Sequence, residues 1–169
     1  VFISYRQADG SEIADQVAWA LRGCGLPVWR DKQDLLPGDF AQRISQALDD
    51  GISAAVIVAT PDITNSSVVR SVEVPRLLEL HALEPRFSLA VVNGVGGSDG
   101  KLDLDAPDAL LGLLGAPLKA TKQYSWNREG IASLAVEMAR RRMIEFSLGG
   151  HTVLPLDIQS RSAPQATDA

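Results

Sequence analysis

Side chains able to do chemistry gather in three short stretches of this 169-residue chain. The first reads Phe2-Ile3-Ser4-Tyr5-Arg6, with Asp9 close behind. The second reads Val28-Trp29-Arg30-Asp31 and runs into Leu35-Leu36-Pro37-Gly38-Asp39-Phe40. The third reads Val58-Ala59-Thr60-Pro61 and is followed by Ser67, Val69 and Glu73. Arg6 could clasp a phosphate through its planar guanidinium, or pair on the surface with Asp9 or Asp31. Asp31 either lines a site or caps a loop. Tyr5 and Trp29 suit a core or a pocket wall, and Phe40 suits a lid over a ligand or the core side of a starting helix. From pattern alone, Glu73 reads as an exposed carboxylate near a helix N-terminus, where the macrodipole favours it. Glu79 and Glu84 lie further along the same segment.

Other chemistries lack their residues. His81 and His151 are far apart and have no Cys/His cluster beside them, so no metal site is expected. A phosphate-cradling loop fails at Gly100-Lys101, because Val95 stands where its first glycine belongs and no Ser or Thr follows the lysine. A phosphoacceptor receiver would want clustered acids after the first strand, where this chain has Ser4-Tyr5-Arg6. Cys24, the single cysteine, can form no intramolecular disulfide, which fits a reducing cytoplasm. It lies near the end of an apolar-periodic stretch with no nearby histidine, so a small core residue is expected there.

The elements that must position these residues alternate. Val1 to Tyr5, Leu26 to Arg30, Ala54 to Ala59, Ser88 to Val92 and Lys122 to Ser125 read as strands. Ala54 to Ala59 is an unbroken apolar run, the pattern of a parallel strand buried on both faces. Between them, helical spacing appears from Ser11 to Arg22, with Ser11 as N-cap and Gly23 and Gly25 closing the helix. Further helices are expected from Phe40 to Leu48, from Val68 to Leu83, from Ala109 to Leu114, and from Glu129 to Phe146. Pro75 within the third of these fits only its first turn or a kink. The last helix is strongly amphipathic, with Ile131, Leu134, Ala135, Met138 and Met143 as its core side. Such alternation predicts an α/β fold: a five-stranded parallel sheet, helices on both faces, right-handed crossovers. Ligands on such folds bind outside the carboxyl ends of the strands, where the three chemical stretches fall.

A net charge of −5 disfavours a nucleic-acid duplex as partner, and the run Arg140-Arg141-Arg142 reads as a solvated helix end. No apolar run is long enough to span a bilayer. Residues 1–148 read as one domain. Residues 149–169 are small and polar and read as a linker or disordered tail. Val1 begins directly in a strand, so a longer parent protein is expected.

Taken together, Phe2-Ile3-Ser4-Tyr5-Arg6 with its following Asp, and Val28-Trp29-Arg30-Asp31 leading to Leu35-Leu36-Pro37-Gly38-Asp39-Phe40, resemble the first box and the BB loop of the TIR (Toll/interleukin-1 receptor) domain family. Ser66 to Glu73 resembles the family's Ser-x-Trp-x-x-x-Glu segment, with the Glu six residues after Ser67. Here Val68, Val69 and Val72 stand where many members carry an aromatic. The resemblance covers about Val1 to Phe146 and implies a flavodoxin-like sheet.

The resemblance also implies a function. TIR domains are either adaptors that bind other TIR domains or NAD+ hydrolases in which one glutamate, on the helix after the third strand, is essential. That position is Glu73. Tyr5, Arg6, Asp31, Phe40 and Ser67 are then the substrate-binding candidates, with NAD+ as substrate and no cofactor. The closest likeness is to bacterial NAD+-cleaving effectors of anti-phage defence. Such effectors are activated by self-assembly and fused to a sensor such as a cyclic-oligonucleotide-binding SAVED domain. The alternative is a non-catalytic TIR–TIR interaction module.

Overall fold

The sheet is parallel throughout, and its central strand is the apolar run that the sequence marks most clearly. The structure, a computed structural model, describes residues 1–30, 52–97 and 100–148, the last four by backbone only. Four strands are seen among them: β1 (Phe2–Tyr5), β2 (Ala54–Ala59), β3 (Ser88–Asn93) and β4 (Lys122–Ser125), hydrogen-bonded in that order. Ser4 stands opposite Ile57, and Ile57 opposite Val91. All six residues of β2 are buried, as a strand covered on both faces requires. The expected loop from Asp31 to Asp39, the helix from Phe40 to Leu48 and the tail 149–169 lie outside the described residues.

The expected strand from Leu26 to Arg30 shrinks to one bridge. Trp29 pairs with Phe2 on the outer side of β1: the Ile3 amide donates to the Trp29 carbonyl at 3.1 Å, and the Trp29 amide donates to the Val1 carbonyl at 2.9 Å. Pro27, two residues earlier, has no N–H for a ladder, which confines the pairing to Trp29. With this segment at its edge, the sheet reads Trp29, β1, β2, β3, β4. That order reverses direction between β1 and β2.

Among the described residues, four α-helices surround the sheet: α1 (Gln7–Gly23), α2 (Val74–Leu83), α3 (Ala106–Leu111) and α4 (Arg128–Leu148). Strand side chains alternate between faces. Ile3, Tyr5, Val56, Val58 and Val92 meet the buried stripes of α1 and α4. Phe2, Ile57, Ala59 and Val91 meet α2 and α3 through Val74, Leu77 and Leu111.

Several local expectations give way. Helix α1 starts at Gln7 rather than at Ser11, because Arg6, still extended, leads straight into it; its capping position has no side-chain hydrogen bond. Cys24 is exposed, not core, since it lies on the turn beyond Leu21, the last buried residue of α1. Met143 is exposed as well: the last buried contact of α4 is Met138, and beyond it the helix outruns the sheet.

Asn127 caps α4: its side-chain oxygen accepts from the Gly130 amide at 2.8 Å, and its carbonyl from the Ile131 amide at 3.0 Å. Gly130 is pressed so close to β4 that an added Cβ would fall 2.2 Å from the Ser125 carbonyl oxygen. A backbone atom cannot swing aside, so Gly130→Ala is expected to cost about 1–3 kcal/mol through overpacking. A thermal melt checks this, and an unchanged midpoint would contradict it.

Candidate functional site

Adjacent strands β1 and β2 send their following helices to opposite faces, α1 to one and α2 to the other. The space outside the carboxyl ends of these two strands is the position where open α/β sheets bind ligands. Tyr5 and Arg6 end β1 on one side of it, and Ala59 and Thr60 end β2 on the other.

The carboxylate at this point is Glu73. The helical segment after β2 does not run as a regular α-helix: Val69–Glu73 forms a π turn, and α2 begins at once after it. Pro75, in the first turn of α2, has no N–H to carry an α-ladder backwards through this point. Wide turns of this kind recur at functional sites. Glu73 closes the turn and is only 4% exposed, not the solvated helix carboxylate that its pattern alone would give. Val69, at the other end of the turn, and Val74, which follows Glu73, are also buried. Ser4, fully buried in β1, donates its hydroxyl hydrogen to Glu73 Oε2 at 2.5 Å. The two residues are 69 positions apart in sequence and meet across the point where the sheet reverses. Burial of a carboxylate is costly unless hydrogen bonds offset it, and Ser4 supplies one such bond. Glu79 and Glu84 are solvent-exposed, one paired with Arg76 and the other accepting from the Arg86 amide.

Tyr5 follows Ser4 and so faces the opposite side of the sheet, 4% exposed in the core beneath α1. The Arg30 guanidinium lies over its ring at 5.5 Å and pairs with Asp15. Burial alone would lower the Arg30 pKa, but hydrogen bonds to Tyr5 and Asp15 outweigh it and hold the group charged. Arg30 therefore clamps the single-bridge segment onto the rest of the fold. Arg6 is half-buried and 3.1 Å from Asp9 Oδ1, a close ion pair without the direction of a hydrogen bond. Ser67 is exposed, just ahead of the π turn. Asp31 and Phe40 lie outside the described residues.

Two side chains at this end were not singled out from the sequence. Ser4 is one; its signal was a small hydroxyl side chain between Ile3 and Tyr5 in a buried strand. Thr60 is the other: it is 1% exposed, packs beside Gly10, and its hydroxyl has no hydrogen-bond partner among the described residues. At the carboxyl ends of β3 and β4, the Trp126 ring lies flat on Gly94, where a Cβ would fall 2.3 Å from it. Among the described residues, no cluster of His, Cys, Asp or Glu could hold a metal ion. No helix there is long and apolar enough to cross a membrane.

A parallel sheet in this order, covered by helices on both faces, with a buried carboxylate where the order reverses, defines a flavodoxin-like α/β domain. The family model of the TIR domain matches residues 1–99, more than half of the chain, and the chain belongs to the TIR domain family. A comparison with curated proteins finds no match. The family includes both NAD+-cleaving enzymes and adaptors, and its members commonly self-associate.

Proposed function

We propose that this TIR domain cleaves NAD+ at the bond between nicotinamide and ribose, with Glu73 as its catalytic residue. The observation that carries this reading is the buried carboxylate at the reversal point of the sheet, hydrogen-bonded to Ser4 of the neighbouring strand. The reaction suits so small a toolkit. The C–N bond breaks with its electron pair going to the pyridinium nitrogen, so nicotinamide leaves neutral and needs no general acid. Positive charge grows on the ribose as an oxocarbenium-like centre, as in glycoside cleavage. A carboxylate beside it stabilises that charge, and in a dry crevice the effect is larger than in water. Water, or the adenine of the same molecule, then takes the ribose carbon, and capture by water releases one proton. No metal or further cofactor enters.

In this reading Arg6 meets the phosphates, while Tyr5, Asp31, Phe40 and Ser67 line or support the substrate side. Assembly with other TIR domains completes the pocket, as befits a cytoplasmic effector of anti-phage defence whose sensor lies elsewhere in the full protein. The competing reading is an interaction module without chemistry, for which the Ser4–Glu73 contact is merely structural. Incubation of concentrated protein with NAD+, followed by chromatography, separates the two. Nicotinamide together with ADP-ribose or a cyclic form supports cleavage, whereas intact NAD+ in the presence of assembled protein overturns it.

A further inference from the structure

From what the two faces of the sheet display, we infer that copies of this domain join head to tail, the Leu114 loop of one copy seating in the groove between α1 and α4 of the next. This rests on the proposed assembly of the domain, not on the role of Glu73. Helices α1 and α4 pack side by side on one face of the sheet. The groove between them has a volume of about 770 Å³ and a mostly apolar lining, to which Trp19, Ala20, Ile131 and Ala132 contribute. The core stripe of α1 runs through Ala14, Val17, Ala18 and Leu21. Helical spacing therefore turns Trp19 off that stripe, and it is 80% exposed. An exposed tryptophan beside an apolar groove is the composition of an interface centre. Asp15 also lines the groove, and it pairs with Arg30, the residue before Asp31. A copy seated there lies one ion pair from the segment that carries Asp31 and Phe40.

The matching knob lies on the other face. Helix α3 ends at Gly112, left-handed at φ 66°, and the chain then passes Leu113, Leu114, Gly115 (φ 78°) and Ala116 (φ 49°). The glycines take such angles freely, whereas Ala116 does so only where its surroundings hold it. Asp108, buried in α3, provides the hold. Its carbonyl accepts from the Leu113 amide at 2.9 Å, and its carboxylate oxygens accept from the Leu118 and Lys119 amides at 2.9 and 2.7 Å. Between these anchors Leu113 packs against the core and Leu114 stands 96% exposed. The loop is thus set before any partner arrives, which lowers the ordering cost of association. From Gly112 to Pro117 it carries no charge, so seating it in an apolar groove desolvates no ion. Beside each surface stands one charge of each sign: Asp15 and Arg128 at the groove, Asp105 and Lys119 at the foot of the loop. Their signs let the two rims pair crosswise. Knob and groove lie on opposite faces of the sheet, so they meet only between molecules. A heterologous contact of this kind builds rings or open chains of copies, not a symmetric dimer.

The test is sedimentation velocity on the whole chain over a wide concentration range, with Trp19→Glu, Leu114→Glu and their equimolar mixture run beside the parent. Both residues are exposed, so both variants are expected to melt within a few degrees of the parent. The parent is expected to grow in size with concentration, and each variant alone to associate at least about thirtyfold more weakly, the loss that follows removal of a central anchor. The mixture decides the geometry. Leu114→Glu keeps its groove and Trp19→Glu keeps its knob, so one intact contact can form between them. A 1:1 dimer and nothing larger is the expected result. Parent-like assembly by either variant overturns the inference and leaves assembly itself standing. A mixture that stays monomeric also overturns it, as when the Trp19 surfaces of two copies meet each other directly. A parent that stays monomeric at every concentration sinks the assembly reading and the inference together, whether the groove then takes a different protein or the chain's own residues 149–169. None of these outcomes requires turnover of NAD+, so they stand apart from the test of Glu73.

Discussion

Glu73→Gln is expected to fold, to melt within a few degrees of the parent, and to lose NAD+ cleavage by a factor on the order of 10³ or more. The substitution keeps the volume of the side chain and an oxygen that can still accept from the Ser4 hydroxyl, so the buried contact survives. What disappears is the negative charge. If charge stabilisation at the ribose drives the reaction, no other described side chain can replace it. Glu79 and Glu84 point into solvent further along the helix, and Asp9 is bound to Arg6 at the end of β1. Glu73→Ala is a poorer probe, because it leaves Ser4 without this acceptor and opens a cavity at a buried position. Circular dichroism and a thermal melt on the kinetic sample separate lost chemistry from lost fold. Parent-like turnover in a folded Glu73→Gln would remove the assignment.

The second large effect is on concentration. Dilute protein is expected to be nearly inactive, and turnover per molecule should climb steeply as the domains associate. TIR domains commonly self-associate, and in the proposed reading assembly completes the pocket to which Asp31 and Phe40 contribute. If the competent arrangement is about 1% of the isolated molecules, association that selects it raises specific activity by up to about a hundredfold. Activity measured alongside particle size over a wide dilution series checks this. A flat specific activity across the monomer–oligomer transition would show that each domain is complete by itself.

The parts of the fold that were legible in the sequence are those where one physical signal dominated. Ala54 to Ala59 is the clearest strand buried on both faces, and Ile13, Ala14, Val17, Ala18 and Leu21 read as the inner stripe of a helix, of which Ile13 is only partly buried. Edges and ends were less legible. Leu26 to Arg30 has strand-like residues, yet Pro27 and an outer position leave it one bridge. The start of α1 was hidden because Ser11 resembles a cap, while the helix follows directly from Arg6. Met143 continues the α4 stripe in sequence but lies past the sheet that would cover it.

At the candidate site, the family motif singles out Glu73, but periodicity pointed the wrong way about its burial. Helical spacing alone makes it a solvated carboxylate; the π turn and Pro75 bring it inside. Ser4 illustrates a different limit. Its spacing in β1 marks which face it lies on, but a partner 69 residues away emerges only when β1 and β2 are set side by side. Tyr5 and Ser4 are neighbours in the motif and are separated by the sheet, because consecutive strand residues face opposite ways.

The most direct measurement is nicotinamide release from NAD+ by concentrated, assembled protein, with the parent and Glu73→Gln assayed side by side at equal particle size. Stoichiometric nicotinamide from the parent and almost none from the variant is the predicted result. Equal release from both, or none from an assembled parent, would contradict the assignment of NAD+ cleavage to Glu73.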